Sequence, residues 1–197
     1  MEALSSPQLG ALVTNHRTSW VRRVSIGSST YYVKTYNYGS WRDRWRGIGR
    51  TTLFSASRVQ RERRALEWLS DHDFGGPRVR AVLEQRWMGW LCRGVLVTEA
   101  WPGESVASLL PRLSQTDRAT LGAELRCFVQ LLHDAGFRDR NLDLRNILVH
   151  REPNAWCFAK IDSPRHRIPK DARPDDALAR ADWTRLAASF DELDQSL

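Results

Sequence analysis

Residues 21–26 and 30–36 carry the short β-branched and aromatic runs of extended chain, separated by Gly27-Ser28-Ser29, and so predict a β-hairpin. In its second arm Tyr31, Val33 and Thr35 alternate with Tyr32, Lys34 and Tyr36, which places the two sets on opposite faces. Residues 37–52, rich in Arg, Trp and Gly, show no period and predict a loop. A helix follows over 56–70, because Val59, Glu62, Leu66 and Leu69 recur at spacings of three and four. Gly75-Gly76-Pro77 ends it. Strands are expected at 79–83 and 94–98, with a third around 87–91, and Trp101-Pro102-Gly103 closes that sheet.

The pattern then changes. Ser114 with Asp117 three residues on is a helix-capping pair. It leads into a helix with a Leu121, Leu125, Phe128, Leu132 stripe that stops at Gly136. The polar segment 138–145 precedes two short strands, 147–150 and 156–161, joined by Glu152-Pro153-Asn154. A last amphipathic helix near 182–193 would bury Trp183, Leu186, Phe190 and Leu193. No internal repeat is present. The order predicts an α+β fold of two lobes in one domain: a β-rich N-lobe over about 10–100 and a minimal helical C-lobe over about 104–197, hinged near 99–103.

Composition changes this picture little. The 197 residues are 42% hydrophobic and 27% charged, ordinary for a globular chain, with nine tryptophans as core or interface anchors. No run approaches the roughly 20 apolar residues of a membrane span. The N-terminus lacks the basic start and apolar stretch of a signal peptide. Cys92, Cys127 and Cys157 have no metal-binding spacing and cannot all pair, which fits a reducing, cytoplasmic setting. The net charge of +7 is uneven: residues 42–64 hold eight arginines against Asp43 and Glu62, whereas the chain after Lys170 is acidic. Such a patch is either plain solvated surface or a site for an anionic partner.

Four polar residues sit where packing alone would not place them. Lys34 lies mid-strand among aromatics, and Glu62 lies on the apolar face of its helix. Asn146 directly precedes a buried strand, and Asp162 ends one. Singly, each has a plain explanation, since a strand lysine ordinarily faces water and a strand-end aspartate ordinarily forms a turn. Together they supply what phosphoryl transfer requires: a lysine for nucleotide phosphates, a glutamate to fix it, and two oxygen ligands for Mg²⁺.

In this order the segments resemble the lipopolysaccharide kinase family, which phosphorylates Kdo or heptose sugars of the lipopolysaccharide core and has a protein-kinase-like fold. Tyr32-Val33-Lys34-Thr35-Tyr36 resembles its strand-three lysine segment, and residues 57–66 its helix-C segment with Glu62 inside. Residues 96–103 resemble the hinge, with Glu99 and Trp101 where backbone groups would hold adenine. Residues 132–137 resemble the helix before the catalytic loop, residues 139–149 that loop, and Ile161-Asp162-Ser163-Pro164 the metal-aspartate segment. The likeness covers roughly residues 21–167.

The resemblance implies an ATP-dependent phosphotransferase acting on a sugar or glycolipid hydroxyl, with Lys34 and Glu62 on the nucleotide and Mg²⁺ on Asn146 and Asp162. It also implies an anionic glycolipid substrate and peripheral contact with the inner membrane through the arginine-rich 42–64 segment, where Trp41 and Trp45 would rest on a lipid interface or a sugar ring. A nucleic-acid partner would explain the charge alone. The chain departs from the family at three places. It has no G-x-G-x-x-G loop, only Gly27-Ser28-Ser29. It follows Asp162 with Ser163-Pro164. It also carries Asn141 where the catalytic aspartate is expected, and an amide is no general base. Asp143 or Asp139 would then orient the acceptor, Asp143 being nearer Asn146; the alternative is a catalytically impaired pseudokinase or nucleotide-binding scaffold.

Overall fold

The computed structural model describes residues 10–38, 56–153 and 155–194, with side chains to 191. Two compact units result: residues 1–67 with 77–101, and residues 68–76 with 102–197.

The first unit is a five-stranded antiparallel sheet ordered β1-β2-β3-β5-β4, with a helix packed on it. The strands are β1 (Ala11–His16), β2 (Ser19–Ile26), β3 (Ser29–Asn37), β4 (Val79–Trp87) and β5 (Trp90–Glu99), and the helix is α1 (Arg58–Asp71). The β2–β3 turn has only two residues, Gly27 and Ser28, with Gly27 at φ 60°; Ser29 already pairs with Ile26. The strand expected at 87–91 does not exist. Trp87 pairs with Trp90 across a turn at Met88-Gly89, both left-handed at φ 47° and 82°, so β4 and β5 form one long hairpin. β1 is an addition to the sequence reading, and its residues are exposed throughout. β3 is central, with Lys34 opposite Val21 on one side and Leu96 on the other.

α1 starts at Ser57, whose Oγ accepts from Gln60 N at 3.1 Å and donates to Glu84. Val59, Glu62, Leu66 and Leu69 are all buried, as their spacing predicted. The helix comes unusually near the sheet at Gly94, where a Cβ would lie 2.5 Å from Val59 Cγ2. The missing side chain lets α1 seat closely enough for Glu62, one turn beyond Val59, to reach β3. Of the loop expected over 37–52, residues 39–52 lie outside the described residues, as do Trp41, Trp45 and the arginines of that stretch.

The second unit packs helices on a small sheet ordered β6-β7-β8: β6 (Glu104–Ser105), β7 (Ile147–Glu152) and β8 (Ala155–Lys160). Its helices are α2 (Val106–Leu109), α3 (Gln115–Asp134) and α4 (Ala177–Asp194). α3 begins as expected, Ser114 Oγ accepting from Asp117 N at 3.1 Å, and stops at Gly136, φ 90°. Leu121, Leu125, Val129 and Leu132 line its buried face. Leu121, Leu125 and Val129 join Leu144, Ile147, Val149 and Leu186 in the core; each such side chain contributes about 1.5–3 kcal/mol by leaving water. α4 begins five residues before the expected 182. Asp176 is the reason, since its Oδ1 accepts from Ala179 N at 2.8 Å and its carbonyl from Arg180 N. Residues 68–76 belong to this unit because Trp68 packs on Phe74 and Phe137, at ring separations of 6.0 and 5.2 Å.

Candidate active site

In the first unit the strand and the helix deliver one cluster, with Tyr36 and Glu62 buried and Lys34 partly so. Lys34 and Tyr36, two apart on β3, share a face. Lys34 Nζ donates to Glu62 Oε1 at 2.8 Å, and Tyr36 Oη donates to Glu62 Oε2 at 2.8 Å. Glu62 is buried, and both of its oxygens are engaged, one by a cation, as burial of a carboxylate requires. Lys34 Nζ also lies 5.4 Å from the Tyr36 ring centre, and the Arg58 guanidinium 5.2 Å from it. Tyr36 was not singled out from the sequence; its place two residues past Lys34 was the available signal.

The arginines of α1 have mixed roles: Arg63 donates to Gln60 and Glu67, whereas Arg64 is exposed. At the end of β5, Glu99 pairs with Arg80. The N–H groups of Glu99 and Ala100 donate to the carbonyls of Arg78 and Thr30 at 2.9 and 2.8 Å. Trp101 follows, half-buried.

The second unit gathers Asn141, Asn146 and Asp162. The β7–β8 hairpin does this by its register: Ile147 faces Lys160, and Ile161 N donates to Asn146 O at 3.0 Å, so the residues flanking the hairpin become neighbours. Asn146 Nδ2 donates to Asn141 O at 3.3 Å, and Asn141 Nδ2 donates to Asp162 O at 3.1 Å. Asn141 therefore acts as a donor that fixes the Asp162 backbone. Asp162 is left-handed at φ 55°, a conformation aspartate tolerates better than most residues. An amide oxygen and a carboxylate on neighbouring backbone are hard oxygen donors, a set that suits Mg²⁺.

The two flanking aspartates differ. Asp143 caps the turn Leu144–Asn146, accepting from Arg145 N at 2.9 Å and from Arg145 Nε and Nη2 at 2.9 and 2.7 Å. These bonds, chiefly the guanidinium's, outweigh its partial burial and hold the carboxyl below the usual range. Asp139 is sealed in the interior, 3.0 Å from Lys160 Nζ, and Lys160 is itself fully buried. Burial dominates there and pushes the Asp139 carboxyl up, against the pull of Lys160 and Ser163.

The frame around this loop comes from residues the sequence reading did not pick out. Asp182, buried on α4, accepts from Asp139 N at 2.9 Å and from Arg140 N at 2.8 Å. Arg140 is left-handed at φ 60°, which costs an ordinary side chain about 1–2 kcal/mol. Those two bonds hold it there. His133 Nε2 lies 3.5 Å from Asp182 Oδ2. Arg138, fully buried, donates to the carbonyls of His133, Phe137 and Arg173 and to both oxygens of Asp176.

Burial alone would raise the Asp176 carboxyl, but the donors of Ala179, Arg138 and Leu178 prevail and hold it at about 2. A carboxyl lowered in the folded state stabilises above its ordinary range and loses that contribution as pH falls through the folded value. The stability difference between the wild type and Asp176→Asn is therefore expected to narrow between about pH 4 and 2, measured by urea midpoints. A difference constant across that range would show that Asp176 is not held low by these bonds.

Among the described residues no helix is long and apolar enough to cross a membrane. The model of the lipopolysaccharide kinase (Kdo/WaaP) family matches residues 13–195. Among curated proteins no sequence match is found. Of solved structures, WaaP in complex with acyl carrier protein superimposes with a TM-score of 0.63 at 17% identity, covering 95% of this chain and 73% of that one. The Rio2 kinase-ADP/Mg²⁺-phosphoaspartate complex from Chaetomium thermophilum gives 0.61 at 16%, covering 97% of this chain and 58% of that one. These likenesses establish a protein-kinase-like fold.

Proposed function

The chain belongs to the lipopolysaccharide kinase (Kdo/WaaP) family, and from that premise we propose that it transfers the γ-phosphoryl group of ATP to a hydroxyl of an anionic sugar or glycolipid of the lipopolysaccharide core. The observation that carries the proposal is the Glu62 carboxylate gripped by Lys34 and Tyr36. Pinning a lysine to a buried glutamate fixes a cation at a set point, which is how an enzyme places charge on a phosphate without reorganising at the moment of reaction.

In this reading Lys34 binds the nucleotide phosphates and Glu62 fixes Lys34. Residues Glu99 and Trp101 border the adenine. Asn146 and Asp162 would hold Mg²⁺, which supplies charge neutralisation on the phosphates. The acceptor oxygen forms the new bond to phosphorus, the bond to the departing ADP breaks with its electron pair on the ADP oxygen, and the hydroxyl proton passes to solvent. Asp143 orients that hydroxyl. Its side chain is 11% exposed and its partner Arg145 is 71% exposed, so this pair can open, whereas Asp139 and Lys160 are sealed at 2% and 0%. A carboxylate held ionised is a weak base, yet a loose phosphoryl-transfer transition state asks mainly for positioning. The arginines of 42–64 would draw an anionic glycolipid to a cytoplasmic enzyme at the inner membrane surface.

A second reading, a nucleotide-binding scaffold without transfer, has one observation in its favour: Asn141 is committed as a donor to Asp162 O. One experiment separates the two. Mg-ATP at about 100 times its Kd should stabilise the protein by about 2.7 kcal/mol, and Lys34→Ala should remove most of that thermal shift. Phosphate transfer to lipopolysaccharide core acceptors, followed by mass change, should be lost in Asp143→Asn while the shift remains. Absence of any shift with ATP and Mg²⁺ sinks both readings. A shift without transfer by the wild type leaves the scaffold.

A further inference from the structure

The far end of the β7–β8 hairpin carries a second set of ligating groups. His150 and Cys157 are direct partners in the antiparallel register, and Glu152 lies two residues past His150, on the same face of β7. One ligand atom from each of the three lies within 4.8 Å of the others. His150 Nε2 is 3.5 Å from Glu152 Oε1. Ligands at the bond lengths zinc prefers, about 2.0–2.3 Å, stand roughly 3.3–3.6 Å apart in a tetrahedron, so a small side-chain adjustment closes the set on one ion.

His150 pairs with Glu152, and the Cys157 thiol hydrogen-bonds to the same carboxylate, so all three side chains converge on one point. The surroundings also suit a cation. Cys157 lies near the carboxylates of Glu152 and Glu124. The frame is rigid: β6 pairs with β7, Trp156 and Phe158 are anchored in the core, and Trp156 N donates to Glu124 Oε2 at 2.8 Å. His150 is four residues along the strand from Asn146, about 13 Å, so the cluster is separate from the Asn146 and Asp162 oxygens.

We infer that His150, Glu152 and Cys157 form a binding site for a thiophilic divalent metal ion of the zinc class. Nitrogen, oxygen and sulfur together favour such an ion over Mg²⁺ or Ca²⁺, which take oxygen alone. Binding displaces the thiol proton to solvent. Glu152, whose side chain is 59% exposed, leaves the fourth position open to water. The site does not depend on the phosphotransferase reading.

Co²⁺ is the probe. Added to the chelator-treated full chain, it should give tetrahedral visible bands and a sulfur-to-cobalt charge-transfer band at one equivalent, and Zn²⁺ should bleach both. Cys157→Ser should abolish the charge-transfer band, whereas Cys92→Ser and Cys127→Ser should keep it. His150→Ala and Glu152→Gln should each weaken Co²⁺ binding by about tenfold or more. Glu152→Gln, at an exposed position, guards against loss by misfolding. No sulfur-to-cobalt band at stoichiometric Co²⁺, or a band that survives Cys157→Ser, would overturn the site.

Discussion

Asp182→Ala is expected to lower the stability of the chain by about 3–5 kcal/mol and to disable the loop at 139–146. The carboxylate is buried and accepts from two backbone N–H groups, those of Asp139 and Arg140. A hydrogen bond to a charged acceptor contributes about 1.5–3 kcal/mol, and the donors left behind have no water to turn to. Arg140 would also lose what keeps it left-handed, so the backbone that presents Asn141 could relax. For a chain of this size each kcal/mol shifts the melting temperature by about 2–4 °C, so a fall of roughly 6–20 °C should be seen. Asp182→Asn keeps one accepting oxygen and should recover about half of the loss. A urea midpoint for Asp182→Ala within about 0.5 kcal/mol of the wild type would show that α4 does not hold the loop.

Asp182 also shows where sequence reading stops. On the sequence it is one more acid in an acidic stretch, and nothing about its neighbours marks it as the acceptor for a loop 42 residues earlier. Arg138 was hidden in the same way, one arginine among many, although it is fully buried. Long-range polar contacts leave no local period. Lys34, Glu62, Asn146 and Asp162 were legible for the opposite reason. Lys34 and Glu62 interrupt patterns whose period is clear, Asn146 and Asp162 border short apolar strands, and the break in pattern is the signal.

The elements follow the same logic. α1 buries the residues that its spacing named, and α3 buries Leu121, Leu125 and Leu132, with Val129 in place of the half-buried Phe128, because a helix packed along one face writes its period into the chain. β1 is exposed along its whole length, so burial imposed no alternation on Ala11–His16. The run Trp87-Met88-Gly89-Trp90-Leu91 read as a strand because it is aromatic and apolar. It is a hairpin turn because Gly89, and Met88 with it, adopts φ > 0. The start of α4 was placed late because its cap, Asp176, stands beside Asp175 in a charged segment without an apolar stripe.

Asp162→Asn should reduce Mg²⁺-dependent phosphate transfer by about 10²–10³-fold or more while leaving the metal-free fold intact. The substitution removes a charge and keeps the shape of the side chain. Asparagine accepts the left-handed conformation found at φ 55°, and the Asp162 carbonyl that receives Asn141 Nδ2 is backbone, so that bond persists. The β7–β8 register that brings Asp162 beside Asn146 does not involve the side chain. What is lost is the anionic oxygen proposed to hold Mg²⁺, and charge stabilisation by a bound metal is worth several kcal/mol in the transition state, each 1.4 kcal/mol being about tenfold in rate. Asn146→Ala removes the neutral oxygen of the proposed pair and should cost less. The measurement is turnover against Mg²⁺ concentration, paired with the melting temperature in chelator. If Asp162→Asn transfers phosphate within about threefold of the wild type, Asp162 is not a metal ligand, and the Asn146–Asp162 pair is a structural clasp of the hairpin instead.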